Sequence, residues 1–223
     1  MEFIEYPDAE MMMMDVADTL AGDLKSALLT HERVTFAVPG GTTPGPVFDT
    51  LSGVHLDWDR VYVMPTDERW VPGDHERSNA RLIRDRLLAG ASAAASFIPF
   101  YVEGETPDGA AERLSDEIAT HLPVDVLLLG MGADMHTASL FPGAPGVAEA
   151  LAAQAPAVAV VRPEGQPEVR LTLTAQVLNG ALAKHILITG ADKRAALERA
   201  AQAQPDEAPV QAVLRGAKVH WAE

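Results

Sequence analysis

Short apolar runs alternate along this chain with segments of helical periodicity, and this alternation constrains the fold more than any other feature of the sequence. The apolar runs have the length and composition of buried strands. They lie at 34–38, 60–64, 124–129, 157–161, 169–173, 185–189 and 218–221. Strands joined by helices form right-handed crossover units, which place neighbouring strands parallel to one another.

Helices are expected between these strands. The longest helical segment is 13–28, where apolar residues recur at spacings of three and four. Thr106-Pro107 is typical of a helix start, and Thr174 is a second candidate cap. Further helices are expected near 47–51, over 78–88 and from 191, with loops or weak helix at 89–95 and 142–156. We therefore expect an α/β fold, with one domain over 1–223 and a mostly parallel, Rossmann-like sheet covered by helices on both faces.

The charge of the chain restricts its partners. It has 17 basic and 32 acidic residues, which gives a formal net charge of −15. A nucleic-acid partner is not expected, because phosphate backbones require a basic surface. No apolar run approaches the ~18 residues of a membrane span, and the N-terminus does not resemble a signal peptide, so we expect a cytoplasmic protein with no membrane partner. The chain contains no cysteine, which excludes thiolate nucleophiles and cysteine-based metal sites.

Four polar clusters follow predicted strands, at 39–43, 66–70, 130–139 and 190–193. Ligands bind outside the carboxyl ends of the strands in sheets of this kind, so these clusters are expected to form one site. In the first cluster, Gly40, Gly41, Thr42 and Thr43 lie between a strand and a helix, where free N–H groups attract anions. A plain capped turn would also explain this cluster, and no lysine follows it as in a Walker motif.

The third cluster contains the candidate acid–base pair. Asp134 and His136 are two residues apart, so the carboxylate can orient the imidazole, whose ordinary pKa of ~6.5 suits proton transfer near neutral pH. Gly130 and Gly132 resemble the start of a dinucleotide fingerprint, but Met135 occupies the third glycine position. No second histidine or carboxylate lies at metal-ligand spacing, so a metal site is not expected.

The remaining clusters supply charge. Lys193 lies in the first turn of a predicted helix, against the usual dipole preference, which would be explained if it binds an anion there. Asp67 and Arg69 either form a surface ion-pair patch or act on a polar substrate. Arg77, Arg81 and Arg84 recur at helical spacing and are interpreted as a solvated face.

Taken together and in order, these segments resemble the 6-phosphogluconolactonase family. The matching segments are PGGTTP (39–44), DERWVP (67–72) with Ser78-Asn79, GMGADMHTASLFPG (130–143), RLTLT (170–174) with Asn179, and GADK (190–193). The resemblance implies hydrolysis of 6-phospho-D-glucono-1,5-lactone to 6-phospho-D-gluconate in the oxidative pentose phosphate pathway, with no cofactor and no metal. It also implies a cytosolic enzyme, and we expect a monomer or a weak homo-oligomer.

The resemblance also implies roles for individual residues. Gly40, Gly41, Thr42 and Thr43 would cradle the phosphate, with Arg170 and Lys193 as its cations. His136 would be the catalytic base, and Asp134, Asp67 and Arg69 would complete the catalytic group on the lactone side. Ser139 is expected to contact the substrate. The family usually has glycine where this chain has Met135, so either a left-handed backbone there is strained or the loop takes a different path.

Two other functions remain open. Glucosamine-6-phosphate deaminases resemble this chain at several of the same residues, but that family uses a glutamate shortly after the histidine. Residues 137–142 contain no acid. A non-catalytic sugar-phosphate sensor would usually carry a DNA-binding helix-turn-helix and a basic face, and this acidic chain has no spare segment for one.

Overall fold

The computed structural model describes residues 1–223, which form ten strands and seven α-helices. The strands are β1 (Glu2–Glu5), β2 (Val34–Val38), β3 (Val61–Pro65), β4 (Asp67–Arg69), β5 (Ser96–Phe97), β6 (Val126–Gly130), β7 (Val158–Val161), β8 (Arg170–Leu173), β9 (Ala183–Thr189) and β10 (Lys218–Ala222). The helices are α1 (Ala9–Thr30), α2 (Gly45–Ser52), α3 (Asn79–Leu82), α4 (Pro107–Ala119), α5 (Val147–Leu151), α6 (Ala175–Asn179) and α7 (Ala191–Ala200). No helix combines the length and the apolar character needed to cross a membrane.

Seven strands form one sheet in the order β1-β10-β9-β6-β2-β3-β5. Every neighbouring pair in it is parallel, which confirms the predicted α/β fold. Its inner strands, such as β2 and β6, are buried on both faces, whereas the edge strands β1 and β5 are partly exposed. In β2, for example, Phe36 packs into the core beneath α1 and α2, whereas Ala37 packs into the opposite core with α4 and α7. Helices therefore cover both faces, as the sequence predicts.

A second sheet was not predicted. It contains three antiparallel strands in the order β4-β8-β7, and its apolar side chains join the same core as α4 and α7. The runs at 157–161 and 169–173 were correctly predicted as strands, but apolar character alone does not say with which strand a segment pairs. Strand β4 is only three residues long and polar, and it pairs Arg69 directly with Arg170.

Several helix boundaries differ from prediction because of local packing. The predicted helix over 78–88 is α-helical only to Leu82 and continues as a wider π turn, Ile83–Leu87. Thr106 caps α4 as expected, by accepting a hydrogen bond from the N–H of Gly109. Thr174 precedes α6 but does not cap it, because its hydroxyl donates to the carbonyl of Pro156 instead.

A chain of hydrogen bonds crosses the core between α1 and the sheet. Asp23 contacts His185 Nε2 at 2.8 Å, His185 Nδ1 contacts His220 Nε2 at 3.0 Å, and His220 Nδ1 contacts the Tyr6 hydroxyl at 2.9 Å. That hydroxyl donates to Asp15 at 2.6 Å. The four bonds require three protons on the two imidazoles, so the pair carries one positive charge that faces two carboxylates. Both histidines are almost completely buried.

This buried pair predicts a loss of stability in acid. Burial, followed by the neighbouring His185, lowers the pKa of His220 from its usual 6.5 to about 4. Between those two pH values the unfolded chain binds a proton that the folded chain does not, so stability falls as the pH falls from ~6.5 to ~4, by up to about 3 kcal/mol. Urea unfolding at pH 7 and at pH 5 checks this. In the His220→Gln variant the pH dependence should be clearly weaker, and an unchanged dependence would contradict the prediction.

Candidate active site

The four polar clusters meet at one edge of the parallel sheet. They follow β2, β3, β6 and β9, and these are four adjacent strands in the order β9-β6-β2-β3. A cavity of about 360 Å³ opens at their carboxyl ends. Nine of the predicted site residues line it: Gly40, Gly41, Thr42, Thr43, Asp67, Arg69, His136, Arg170 and Lys193. Asp134 and Ser139 do not line it.

The loop between β2 and α2 forms one wall. The backbone of Gly41 is left-handed, with φ 85°, which glycine adopts without strain. A side chain at Gly40 would overlap the amide of Asn79, so only glycine fits there. The N–H groups of Gly41 and Thr42 are not used by the backbone hydrogen bonds of this loop, and α2 begins without a side-chain cap. This wall therefore offers backbone donors to an anion.

Four cations surround the cavity, against a single carboxylate on its wall, that of Asp67. The side chain of Arg170 is only 4% exposed, and its Nε is buried without a partner, as is the Nε of Arg69. Burial, followed by the proximity of Arg69, lowers the pKa of Arg170. Burial also lowers the pKa of Lys193. Bound anionic charge would offset both effects, so the site is built for an anion despite the net charge of −15.

His136 and Asp134 form a hydrogen-bonded pair at the end of β6. The distance between Nδ1 of His136 and Oδ1 of Asp134 is 2.5 Å, and this bond lowers the pKa of Asp134. A proton on Nδ1 leaves Nε2 as the basic nitrogen, and no protein group bonds to it. A side chain at Gly132 would overlap both members of the pair, so glycine is required there. Asp134 therefore orients the imidazole from outside the cavity.

The loop that carries His136 contains two strained residues. Met135 has φ 66° and Ala138 has φ 47°, and both lie in the left-handed region. Met135 stands where the family usually has glycine, and the loop keeps the left-handed path there instead of taking a different one. The left-handed backbone costs about 1–2 kcal/mol per residue. A tight hydrogen bond from Gly132 N–H to the carbonyl of His136, at 3.0 Å, helps to hold the loop.

The structure corrects the prediction for Ser139. Its side chain is completely buried, and its hydroxyl donates to Oδ2 of Asp67 at 2.5 Å. Its N–H donates to the hydroxyl of Thr172 at 3.2 Å. Ser139 thus lies behind Asp67 and is not placed to contact a substrate in the cavity.

Sequence reasoning missed three residues around the site. Arg77 was interpreted as part of a solvated helical face, but it precedes α3, lines the cavity and pairs with Glu168 at 2.9 Å. Ser78 caps α3, and the predicted helix over 78–88 also begins after Arg77, so helical spacing was a weak reason to group Arg77 with the helix. Asn79 lines the cavity and accepts a hydrogen bond from Arg69. The buried carboxylate of Glu68 accepts the N–H groups of Arg69, Asn79 and Ala80.

No group of three or more histidine and carboxylate side chains is arranged to hold a metal ion. The chemistry available in the cavity is that of His136, Asp67, the four cations and the free N–H groups.

The family model and the most similar relatives that we compared point to the same family. The sequence model of the glucosamine-6-phosphate isomerases/6-phosphogluconolactonase family matches residues 7–221. The chain is 40% identical to a 6-phosphogluconolactonase of Rhizobium meliloti, covering 100% of this chain and 98% of that protein. It is 41% identical to a 6-phosphogluconolactonase of Pseudomonas aeruginosa, covering 92% and 88%.

Solved structures agree with these relatives. A crystal structure of a 6-phosphogluconolactonase from Shewanella baltica has a TM-score of 0.94 at 29% identity, covering 100% of this chain and 97% of that one. A monomeric glucosamine-6-phosphate deaminase shares the fold, with a TM-score of 0.86 at 17% identity, covering 100% and 98%. This chain therefore belongs to the glucosamine-6-phosphate isomerase/6-phosphogluconolactonase family.

Proposed function

We propose that this chain hydrolyses 6-phospho-D-glucono-1,5-lactone to 6-phospho-D-gluconate, the second step of the oxidative pentose phosphate pathway. One observation carries the proposal: the unpartnered Nε2 of His136 shares a cavity with a cluster of cations and free N–H groups. This arrangement matches a substrate with an uncharged reacting carbon and a distant phosphate. The relatives at about 40% identity, which are 6-phosphogluconolactonases, support the same substrate.

The phosphate is the anchor of the bound substrate. Lys193, Arg170 and the N–H groups of Gly41 and Thr42 line the cavity and can share its charge. The binding energy of this remote group fixes the lactone carbonyl near His136, which lowers the entropic part of the barrier. Arg69 and Asp67 complete the opposite side of the cavity, where the sugar hydroxyls and the carbonyl oxygen need partners.

Water is the nucleophile of this hydrolysis, and His136 is its general base. Nε2 takes a proton from a water molecule as the water oxygen bonds to the lactone carbonyl carbon. Arg69 stabilises the negative charge that develops on the carbonyl oxygen. The bond between that carbon and the ring oxygen then breaks, and the imidazolium returns the proton to the ring oxygen. Asp134 holds the imidazole by its Nδ1 proton throughout, and no covalent intermediate, metal or cofactor takes part.

We also propose a domain organisation, an oligomeric state and a cellular location for this chain. The N-terminal strand β1 pairs with the C-terminal strand β10, which supports a single domain over 1–223. We propose that the protein is a monomer or a weak homo-oligomer. The substrate class is that of cytoplasmic sugar metabolism, and we place the enzyme there.

A direct assay tests the function. Fresh 6-phosphogluconolactone is added to the purified protein, and acid release is followed above the spontaneous rate. Ammonia release from glucosamine 6-phosphate is measured in parallel. Acid release without ammonia is the expected result, because residues 137–142 contain no glutamate. Ammonia release would indicate a deaminase, and binding of 6-phosphogluconate without either reaction would indicate a sensor.

A further inference from the structure

We infer that Ser139 is a positioning residue for Asp67, and that it couples the loop of His136 to the opposite wall of the active site. This inference rests on the proposed function. It follows from the hydrogen bonds of Asp67, from the burial of Ser139 and from the path of the loop between them.

The carboxylate of Asp67 depends on two hydroxyl groups for its orientation. Oδ1 accepts a hydrogen bond from Thr66 at 3.1 Å, and Oδ2 accepts one from Ser139 at 2.5 Å. Asp67 lines a cavity with four cations but forms no ion pair with any of them. Asp67 is only 7% exposed. A carboxylate without an ion pair is oriented by its hydrogen bonds, so removal of the shorter one frees it to rotate.

The only hydrogen-bond partner of the Ser139 hydroxyl is the carboxylate of Asp67. Ser139 is completely buried, and its single hydroxyl proton is directed at Asp67. Its N–H bonds to Thr172, which is the direct partner of Asp67 in the pairing of β4 with β8. Ser139 is therefore fixed against the same strand pair that carries the carboxylate.

The same loop carries His136. Thr137 anchors it by donating to the carbonyl of Gly130 at 2.8 Å, and a bridge joins Thr137 to Leu140. Between these residues the left-handed Ala138, with φ 47°, turns the chain so that Ser139 reaches Asp67. His136, on the loop that follows β6 of the parallel sheet, and Asp67, on β4 of the antiparallel sheet, are thus held by one short segment. The oriented carboxylate can accept hydrogen bonds from the sugar hydroxyls while His136 acts on the carbonyl.

A double-mutant cycle tests this role. The variants are Ser139→Ala, Asp67→Ala and the pair together, with kcat, KM and Tm measured for each on 6-phosphogluconolactone. Ser139→Ala should lower kcat/KM about tenfold, in keeping with the loss of one hydrogen bond to a charged group. In the Asp67→Ala background the same change should have no further effect, because Ser139 acts through Asp67.

The matched control is Ser115→Ala, since the Ser115 hydroxyl is also hydrogen-bonded, but to backbone groups of Ala111 and Val158 away from the site. It should lower Tm but not kcat/KM. Ser139→Cys is a nearly isosteric second variant in case Ser139→Ala does not fold, and the same loss is expected from it.

Two results would overturn the inference while leaving the proposed function intact. One is a kcat/KM for the Ser139 variants that stays within twofold of wild type. The other is a full additional loss in the Asp67→Ala background. A wild-type protein that does not hydrolyse the lactone would instead overturn the proposed function, and the inference with it.

Discussion

Replacement of His136 by Ala is expected to lower kcat for the hydrolysis of 6-phosphogluconolactone about 10³-fold, because general-base catalysis contributes about 10²–10⁴-fold. The change removes Nε2 of the only histidine that lines the cavity. Stability should change little, since the imidazole lies on a loop and is 29% exposed. Steady-state kinetics and a thermal melt of the same preparation check both parts. KM should stay within a few-fold, because the phosphate contacts remain.

His31 offers a matched control for this experiment. It also contacts a carboxylate through Nδ1, that of Asp125, at 2.8 Å, but it lies at the amino end of the strands, away from the cavity. His31→Ala should leave kcat unchanged. If His136→Ala keeps more than a tenth of the wild-type kcat, His136 is not the base.

The location of the site could be predicted because it follows from local sequence and one topological rule. Each polar cluster directly follows an apolar strand, and the carboxyl ends of parallel strands lie on one edge. Lys193 was found by its unusual position at the start of a helix, and Arg170 by the resemblance. The resemblance to a family that usually has glycine at Met135 left two possibilities open, a strained left-handed backbone or a different loop path, and the structure shows the left-handed one.

The contacts that complete the site could not be predicted, because they join segments far apart in the chain. Ser139 and Asp67 are 72 residues apart, and nothing near either one indicates their hydrogen bond. Strand β4 is too short to show a strand pattern, so its pairing with β8 was missed. The same holds for His185 and His220, whose apolar neighbours predict strands but not the hydrogen bond between the two imidazoles. Tertiary partners decide these features, and periodicity carries no information about them.

Replacement of Lys193 by Met is expected to raise KM for 6-phosphogluconolactone about 10²-fold with kcat within a few-fold, since a hydrogen bond to a charged group contributes about 1.5–3 kcal/mol. Lys193 lines the cavity in the first turn of α7, and burial alone lowers the pKa of its amine. The methionine keeps the apolar stem and removes the charge. A loss of uniform binding appears in KM, whereas a role in the chemical step would appear in kcat.

The stability of the same variant separates a functional lysine from a structural one. A cation in the first turn opposes the helix dipole, so its removal should raise the free energy of unfolding by about 0.3–1 kcal/mol. An affinity that falls while stability rises is expected only of a residue retained for its ligand. Lys25→Met, an exposed site on α1, makes the same change in net charge and should leave KM unaltered. A Lys193→Met protein with wild-type KM, or one that loses stability and activity together, would show that Lys193 does not anchor the phosphate.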